Sequence, residues 1–347
     1  MAINRVEIKD FLVFKGTFSV DFCPGVNIFI GSNGTGKTTL LKAMYGLIND
    51  KISSCFYAKN INENIFYGNG RIDLLYDDNA HNSFIQSPYH ENILASIQQS
   101  PGRVNRIKVN EIPACDVKNA SSDIQSVFIP DKEMLSHSPG FLALKHERPM
   151  VPFDDTLTDI IAKAQLYPKN ETCNNNLCIK IREIIGGEVT YENDSFIILK
   201  DYSSDQISFS MEASGYRKLG LLWKLIRNGL LEKSSILFWD EPENSLNPEL
   251  ISVLVDILLE LSRGGVQIFI ATHNYDITRW FELNKTDDNS LRYFNLRNDT
   301  NGIIADVADN YTSLPRCVIE DAGNQLLRRV AEVAAKNAGV KLNDTDR

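Results

Sequence analysis

The stretch that decides the fold reads VNIFIGSNGTGKTTLLKAMYGL and covers residues 26–47. Its first five residues, 26–30, predict a short buried strand. Residues 39–47 place their leucine and methionine side chains on one helical face and predict a helix. A glycine-rich turn, residues 31–38, lies between the two. Strand, glycine loop and helix are therefore contiguous, which is the context that a phosphate-binding loop requires.

The turn at 31–38 matches the pattern G-x-x-x-x-G-K-[ST]. In such a loop the glycines let backbone N–H groups surround phosphates, and the following helix adds the positive end of its dipole. Lys37 can reach the β- and γ-phosphates of a nucleotide, and Thr38 can hold Mg²⁺. The alternative is a glycine-rich turn with a surface lysine. The predicted nucleotide-binding residues here are Gly31, Ser32, Asn33, Gly34, Thr35, Gly36, Lys37, Thr38 and Thr39.

Two adjacent acids follow a second apolar strand. Residues 236–239 predict this strand, and Asp240 and Glu241 come directly after it. Carboxylates at this point emerge at the carboxyl edge of the sheet, where open α/β sheets bind ligands. An aspartate there can bind Mg²⁺, and a neighbouring glutamate can take the proton from an attacking water. A turn or a helix cap is the alternative, but with a phosphate loop on the same chain we expect an ATP·Mg²⁺ site.

Buried apolar strands that alternate with helices indicate an α/β fold with a mainly parallel sheet covered on both faces. The expected strands lie within 3–30, an antiparallel portion included, and at 71–76, 106–112, 125–129, 189–199, 206–212, 236–239 and 266–271. The expected later helices lie at 155–167, 176–185, 215–231, 249–262 and 320–338. We divide the chain into a core, 1–50 and 189–347, and an inserted variable lobe of helical and mixed character, 51–188.

Composition limits the partners and the compartment. The chain carries 36 Lys+Arg against 45 Asp+Glu, a net charge of −9, so any nucleic-acid contact needs a local basic patch. The six cysteines are scattered and signal neither zinc nor a disulfide framework, and no apolar run approaches the roughly 18 residues of a membrane span. We expect a cytoplasmic protein outside the membrane. One candidate patch, with ordinary surface charge and core as the alternative, comprises Phe56, Tyr57, Lys59, Phe66, Tyr67, Arg71, Arg103, Arg106, Lys108 and Lys118.

Three further segments resemble motifs of the ABC-type ATPases related to structural-maintenance-of-chromosomes (SMC) and RecF proteins. Residues 240–248, Asp-Glu-Pro-Glu-Asn-Ser-Leu-Asn-Pro, resemble the extended Walker B motif and D-loop, and 271–274, Ala-Thr-His-Asn, resemble the histidine switch. Residues 214–218, Ser-Gly-Tyr-Arg-Lys, resemble a variant signature motif without the second glycine and the acid or glutamine. The overall pattern is similar to the compact AAA-family abortive-infection ATPases, the AAA-21 group, and the segment 128–136 is similar to one in such proteins.

The resemblance implies an ABC-type P-loop NTPase head and a role for each motif. His273 would sense the γ-phosphate and join Glu241 and Lys37 as a catalytic residue. Ser214 and Gly215 of one subunit would close over ATP held by another, although a serine there can also simply cap its helix. Asn247 takes the place of the polar D-loop residue, with a role between subunits. The candidate for the loop glutamine that links nucleotide to the variable lobe is Gln125, with a strand-surface residue as the alternative.

The functional hypotheses come from different classes. The first is an ATP-binding and ATP-hydrolysing protein whose nucleotide-dependent dimerisation, with itself or a related ATPase head, drives a conformational signal. Its setting would be antiphage defence or DNA maintenance, with a separately encoded effector such as a nuclease or toxin. The alternative is the nucleotide-binding subunit of a membrane transporter, which the residues at 243–248 disfavour because transporters have a Ser-Ala-Leu-Asp turn there. A non-hydrolysing scaffold does not fit the intact Lys37, Asp240, Glu241 and His273.

Overall fold

The computed structural model describes residues 2–49, 51–56, 66–77, 92–100, 103–107, 124–147, 153–169, 176–203, 205–300, 302–315, 325 and 328–334. Its strands are β1 (Ala2–Phe11), β2 (Phe14–Asp21), β3 (Val26–Ile30), β4 (Phe66–Asp77), β5 (Asn92–Ser100), β6 (Arg103–Ile107), β7 (Ser126–Ile129), β8 (Gly187–Glu192), β9 (Ser195–Lys200), β10 (Gln206–Ser208), β11 (Ile236–Asp240), β12 (Gln267–Ala271), β13 (Leu291–Asp299) and β14 (Gly302–Ala308). Its helices are α1 (Lys37–Ile48), α2 (Ile52–Cys55), α3 (Phe141–Glu147), α4 (Asp155–Gln165), α5 (Asn176–Ile185), α6 (Ser214–Arg227), α7 (Pro248–Arg263) and α8 (Tyr275–Asn284). Residues 328–334 are also helical.

A mixed, mainly parallel sheet forms the centre of the molecule. Its strand order is β14-β13-β3-β12-β11-β7. Neighbouring strands from β13 to β7 pair in parallel, whereas β14 pairs with β13 in the antiparallel direction. Every residue of β3, β11 and β12 is buried, as expected for strands covered on both faces. The predicted α/β architecture is confirmed.

One face of the central sheet packs against α1 and an antiparallel sheet. That second sheet has the strand order β2-β1-β4-β5-β6. Phe29 of β3 and Phe269 of β12 join Leu40 and Met44 of α1 in one buried cluster. The phosphate-loop helix is thus held by apolar contacts from Leu40 to Ile48, and its polar first turn lies at the carboxyl edge of the sheet.

The opposite face carries most of the helices. Ile28 and Ile30 of β3, with Leu237 and Trp239 of β11, belong to a second buried cluster that includes residues of α4, α6, α7 and α8. Successive residues of a strand alternate between the two clusters because side chains along a strand point to opposite faces. Both helices that flank the acidic pair in sequence, α6 and α7, therefore pack on the same face of the central sheet.

Several element boundaries differ from the prediction. The run 189–199 is a hairpin, β8 and β9, because Asn193 and Asp194 adopt φ of 49° and 60° and form a tight turn. The run 206–212 is a strand only over Gln206–Ser208 and continues as a 3₁₀ turn, Phe209–Met211.

Helix α6 stops at Arg227 rather than 231, ahead of Gly229 with φ 72°. The expected strand at 106–112 is β6, which ends at Ile107. Parts of that expected strand and of the expected helix 320–338 lie outside the described residues.

Strand β7 lies within 51–188, yet it pairs with β11 in the central sheet. The division of the chain into a core and an inserted lobe stays a prediction. Because β7 is part of the central sheet, this strand is counted with the core. Across the part of the chain that the structure describes, none of the helices combines the length and the apolar character needed to cross a membrane.

Candidate active site

The phosphate loop joins the carboxyl end of β3 to the first turn of α1. Gly36 is the residue before the helix, with φ 87°, and no side chain caps the first turn. Gly31 has φ 143°, and a Cβ there would lie 2.3 Å from the Leu296 carbonyl oxygen, so glycine is required. The uncapped N–H groups and the positive end of the α1 dipole make this turn an anion site.

Lys37 folds back over the loop. Its Nζ donates to the carbonyl oxygens of Gly31 at 2.7 Å and Ser32 at 3.0 Å. The side chain is buried, and burial lowers the pKa of its ammonium, while the carboxylates of Glu241, Asp240 and Glu243 oppose that shift. The lysine is therefore already placed over the concave side of the loop, with a carboxylate group nearby.

Thr38 and Asp240 meet at the carboxyl edge of the sheet. The Thr38 Oγ1 donates to Asp240 Oδ1 at 3.0 Å, across 202 positions of sequence. Asp240 is 6% exposed. Burial raises its pKa to about 6, the hydrogen bond from Thr38 opposes the shift, and the nearby acids Asp131 and Glu241 add to it.

A hydroxyl and a buried carboxylate are ligands that suit Mg²⁺, and a divalent cation would favour the ionised form of Asp240. The described residues contain no group of three or more His, Cys, Asp or Glu side chains able to hold a metal alone. Protein-bound Mg²⁺ commonly takes one or two carboxylates and completes its shell with water and substrate phosphates. The pair Thr38 and Asp240 fits that pattern.

Glu241 and His273 form a close pair beside this edge. The Oε1 of Glu241 lies 2.7 Å from Nδ1 of His273, and its Oε2 accepts from Asn244 Nδ2 at 2.6 Å. Glu241 also has φ 48°, a left-handed conformation that costs a non-glycine residue on the order of 1–2 kcal/mol. Backbone strain of this kind is maintained only where surrounding contacts hold it, and here the carboxylate is held by His273 and Asn244.

Glu243, which the sequence analysis did not assign, is buried beside the switch. Its side chain is 5% exposed and accepts a hydrogen bond from Thr272 Oγ1, which in turn accepts from the Asn274 backbone N–H at 2.9 Å. Burial raises the pKa of Glu243, and the Thr272 hydrogen bond opposes the shift. The Glu243 carboxyl group thereby connects the acidic turn, residues 241–245, to the segment that carries His273. The position of Glu243 in the Asp-Glu-Pro-Glu sequence, three residues after Asp240, is the feature that could have indicated its place in the site.

The signature-like residues form a second group. Ser214 begins α6 but does not cap it, because the residue before the helix is Ala213, which makes no side-chain cap. Ser214 Oγ instead donates to the Ser245 carbonyl oxygen at 3.0 Å. A Cβ on Gly215 would lie 3.2 Å from Leu250 Cδ1, so glycine allows α6 to pack closely here. The capping alternative for Ser214 is therefore wrong.

Asn247 acts locally in this structure. It is the N-cap of α7, and its Oδ1 accepts from the Glu249 backbone N–H at 3.4 Å. A role between subunits stays a prediction.

The candidate Gln125 is at the wrong end of the sheet. Its carbonyl oxygen accepts from the Ile236 backbone N–H at 2.9 Å, at the start of β11, whereas Asp240 is at the end of that strand. Parallel pairing of β7 with β11 places the residues after Ile129 at the nucleotide edge instead. Asp131 follows there, and its charge acts on Asp240. The sequence analysis overlooked position along the strand: a residue that follows β7 lies near Asp240, whereas Gln125 precedes β7.

The basic and aromatic patch receives little support. Arg71 forms an ion pair with the buried Asp73. Phe56 packs edge-on against Phe11, with ring centroids 5.3 Å apart. Both are local structural contacts. Tyr57, Lys59, Lys108 and Lys118, and the side chains of Phe66, Tyr67, Arg103 and Arg106, lie outside the described residues.

Two family models and several known proteins match this chain. Residues 56–278 match a family model described as "AAA domain, putative AbiEii toxin, Type IV TA system", and residues 5–99 match a second AAA-domain model. The DNA replication and repair protein RecF of Heliobacterium modesticaldum is 50% identical over 44 residues, 13% of this chain and 12% of that protein. The ABC transporter ATP-binding protein YybJ of Bacillus subtilis is 28% identical over 127 residues, 36% of this chain and 55% of that protein. The chain therefore spans between an eighth and about half of the length of these relatives.

Solved structures show the same fold. An SMC head bound to the C-winged helix domain of ScpA gives a TM-score of 0.56 at 14% identity, covering 90% of this chain and 99% of that one. An SMC head with an extended coiled coil, bound to the C-terminal domain of ScpA and derived from Pyrococcus furiosus, gives 0.57 at 13% identity, covering 95% and 99%. The fold is that of an SMC-type P-loop NTPase head.

Proposed function

This chain belongs to the AAA_21 family of AAA domains and is a P-loop ATPase of the SMC- and ABC-related class, and we propose that it binds and hydrolyses Mg²⁺·ATP. One observation carries the proposal. A single sheet edge brings together a lysine over the phosphate loop, a Thr–Asp pair suited to Mg²⁺, and a carboxylate paired with a histidine, Glu241 and His273. These are the parts that phosphoryl transfer to water requires.

Each residue has a distinct task in the proposed reaction. When nucleotide binds, Lys37 leaves the carbonyl oxygens of Gly31 and Ser32 and donates to phosphate oxygens instead. The phosphate oxygens are charged, so they form stronger hydrogen bonds with the ammonium than neutral carbonyls do. Thr38 and Asp240 would hold Mg²⁺, which would supply positive charge to neutralise the phosphates of the nucleotide. Glu241 accepts the proton from the attacking water.

His273 holds the Glu241 carboxylate from one side, while Asn244 holds it from the other. Two polar contacts on one carboxylate fix its direction. His273 is also the residue proposed to respond to the γ-phosphate, so loss or gain of that phosphate would act directly on the base.

We further propose that two ATPase heads, two copies of this chain or this chain and a relative, close over ATP. The N-terminus of α6 carries Ser214 and has no side-chain cap of its own, so its N–H groups are available to a phosphate of a second head. Closure would drive a signal to a separately encoded effector, a nuclease or toxin. The family description names a toxin of a type IV toxin–antitoxin system, which is in line with a defence role, and the RecF likeness is in line with DNA maintenance.

Two ATP-binding proteins of transporters are among the relatives, YybJ at 28% identity and ArtP of Haemophilus influenzae at 28% over 103 residues, 40% of that protein. The acidic turn distinguishes the alternatives. Residues 243–248 contain a buried glutamate bonded to Thr272, in place of the Ser-Ala-Leu-Asp turn of transporter subunits. We therefore favour the defence or maintenance ATPase over the transporter subunit.

The test compares wild type, Glu241→Gln and Asp240→Ala by ATP hydrolysis and light scattering. Glu241→Gln keeps the size and a hydrogen-bonding group but removes the base, so hydrolysis should fall on the order of 10²–10⁴-fold while ATP stays bound. The ATP-dependent assembly of Glu241→Gln should persist, whereas Asp240→Ala should form no such assembly. The matched control is Glu249→Gln, which alters an exposed glutamate on α7. Hydrolysis by Glu241→Gln at the wild-type rate would show that the general-base assignment is wrong.

A further inference from the structure

Lys218 is a buried lysine that the proposed reaction does not use. It lies on α6, is 4% exposed and is surrounded by carboxylates. Its Nζ donates to the carbonyl oxygens of Glu241 at 3.0 Å and Pro242 at 3.3 Å. A lysine in the interior is unfavourable unless its donors are satisfied, so these two backbone acceptors account for its presence.

The electrostatic surroundings keep the ammonium charged near neutral pH. Burial lowers the pKa of Lys218 to about 8, while the charges of Glu243, Asp131, Glu241 and Asp240 oppose that shift, with Glu243 the strongest. The charged form makes stronger hydrogen bonds to carbonyl oxygens than a neutral amine does.

The two carbonyls that Lys218 contacts belong to the strained part of the acidic turn. Glu241 has φ 48°, its N–H donates to the Ala271 carbonyl at 2.8 Å, and its carbonyl accepts from the Asn244 N–H at 3.1 Å. The Lys218 ammonium is a second donor to the Glu241 carbonyl oxygen, and it reaches that oxygen from α6. The direction of the Glu241 peptide, and with it the side chain, thus depends on this contact.

The same helix is attached to the turn at a second point. Ser214 Oγ donates to the Ser245 carbonyl oxygen at 3.0 Å. Residues 214 and 218 are one helical turn apart and share a face of α6. Three hydrogen bonds from one helix face, two from Lys218 and one from Ser214, reach both ends of the segment 241–245 and make the helix and the segment a single unit.

We propose that Lys218 is a positioning residue for Glu241. From α6 it holds the backbone of the segment 241–245 so that the Glu241 carboxylate stays paired with His273, and it makes the base move with the helix that starts at Ser214. This inference rests on the proposed ATPase function. It also gives that function a regulatory route, because contact of a second head with the start of α6 is transmitted through one turn of helix to the catalytic base.

The experiment uses Lys218→Met, Lys218→Arg and a matched control, Lys224→Met. Lys224 is a second buried lysine of α6, and its charged neighbours are Arg227 and Glu188 rather than the acidic turn. Methionine has a long unbranched side chain like that of lysine, so it fills the site while removing the charge and the two hydrogen bonds.

Two readouts are taken. Hydrogen–deuterium exchange of nucleotide-free protein should show the amides of Asn244 and Leu246 exchanging roughly tenfold faster in Lys218→Met, as expected for the loss of a supporting hydrogen bond. In the hydrolysis assay kcat should fall roughly 10- to 100-fold in Lys218→Met, with KM for ATP within about threefold, because positioning acts on the chemical step. Lys218→Arg should recover part of kcat, and Lys224→Met should match wild type in both assays.

Exchange over 241–246 that is the same in Lys218→Met and wild type would overturn the inference. So would a kcat for Lys218→Met within about twofold of the Lys224→Met value. A wild-type protein without ATP hydrolysis would instead refute the proposed function, and the exchange comparison would still decide whether Lys218 holds the turn.

Discussion

Asp240→Asn should stabilise the nucleotide-free protein and at the same time abolish its reaction. Asparagine keeps an oxygen that can accept from Thr38 Oγ1 but carries no charge. The native pKa of Asp240 is raised to about 6 from 3.8 because the carboxylate is buried beside Asp131 and Glu241. The native state therefore retains a proton that the unfolded chain releases, so wild type loses stability as the pH rises from about 4 to about 6.

The size of the effect follows from the two pKa values. With 3.8 in the unfolded chain and about 6 in the native state, linkage gives a penalty of about 1.5 kcal/mol at pH 5 and about 3 kcal/mol at pH 8. Asp240→Asn removes the titrating group. Its advantage over wild type should therefore grow by about 1.5 kcal/mol between pH 5 and pH 8.

The assay is urea denaturation in the presence of EDTA, from pH 5 to pH 8, followed by tryptophan fluorescence. Trp239 is the residue before Asp240, and both it and Trp223 are buried, so unfolding is reported near the site. The control, Asp299→Asn, removes an exposed carboxylate at the end of β13, outside the site. In a hydrolysis assay with Mg²⁺, Asp240→Asn should be inactive.

A difference in unfolding free energy between Asp240→Asn and wild type that is independent of pH would refute this reasoning. It would mean that the carboxylate is solvated well enough to ionise normally in the folded protein. Destabilisation by Asp240→Asn at pH 8 would be still more damaging, since it would show that the charge is balanced by a partner other than Thr38.

Two further substitutions separate nucleotide binding from closure. Lys37→Ala should lose ATP binding, measured by calorimetry, because Lys37 is the cation placed over the phosphate loop; affinity equal to wild type would contradict the phosphate-loop assignment. Ser214→Arg should bind ATP with nearly wild-type affinity yet block ATP-dependent association and turnover, measured by light scattering and phosphate release, because the change lies at the start of α6. Turnover by Ser214→Arg at the wild-type rate would exclude this helix start from the closed state.

Much of the site was predictable because its motifs are local. The strand, loop and helix at 26–48 form one continuous unit whose pattern depends on neighbours a few residues apart. The acidic pair after β11 and the histidine after β12 could be placed at one edge because parallel strands end on the same side. The structure brings Thr38 to Asp240 and Glu241 to His273 as that argument requires.

Other features depend on contacts that no local pattern encodes. Whether Gln125 or Asp131 reaches the nucleotide edge depends on the pairing of β7 with β11, strands more than a hundred residues apart. The bonds of Glu243 to Thr272 and of Lys218 to the acidic turn likewise join distant segments. Burial, which raises the pKa of Asp240 and lowers that of Lys218, is also a property of the packed molecule.

The amino-acid sequence alone thus determined the class of fold, the phosphate loop and the identity of the residues that face it, because glycine loops, strand periodicity and paired acids are short-range properties. Only the tertiary structure decided the direction of each side chain, the strained backbone of Glu241 and the three hydrogen bonds that attach α6 to the acidic turn. Buried donors and acceptors must find hydrogen-bond partners, and the partners of these groups lie in distant segments of the chain. Which groups pair is therefore fixed only when the whole chain is packed.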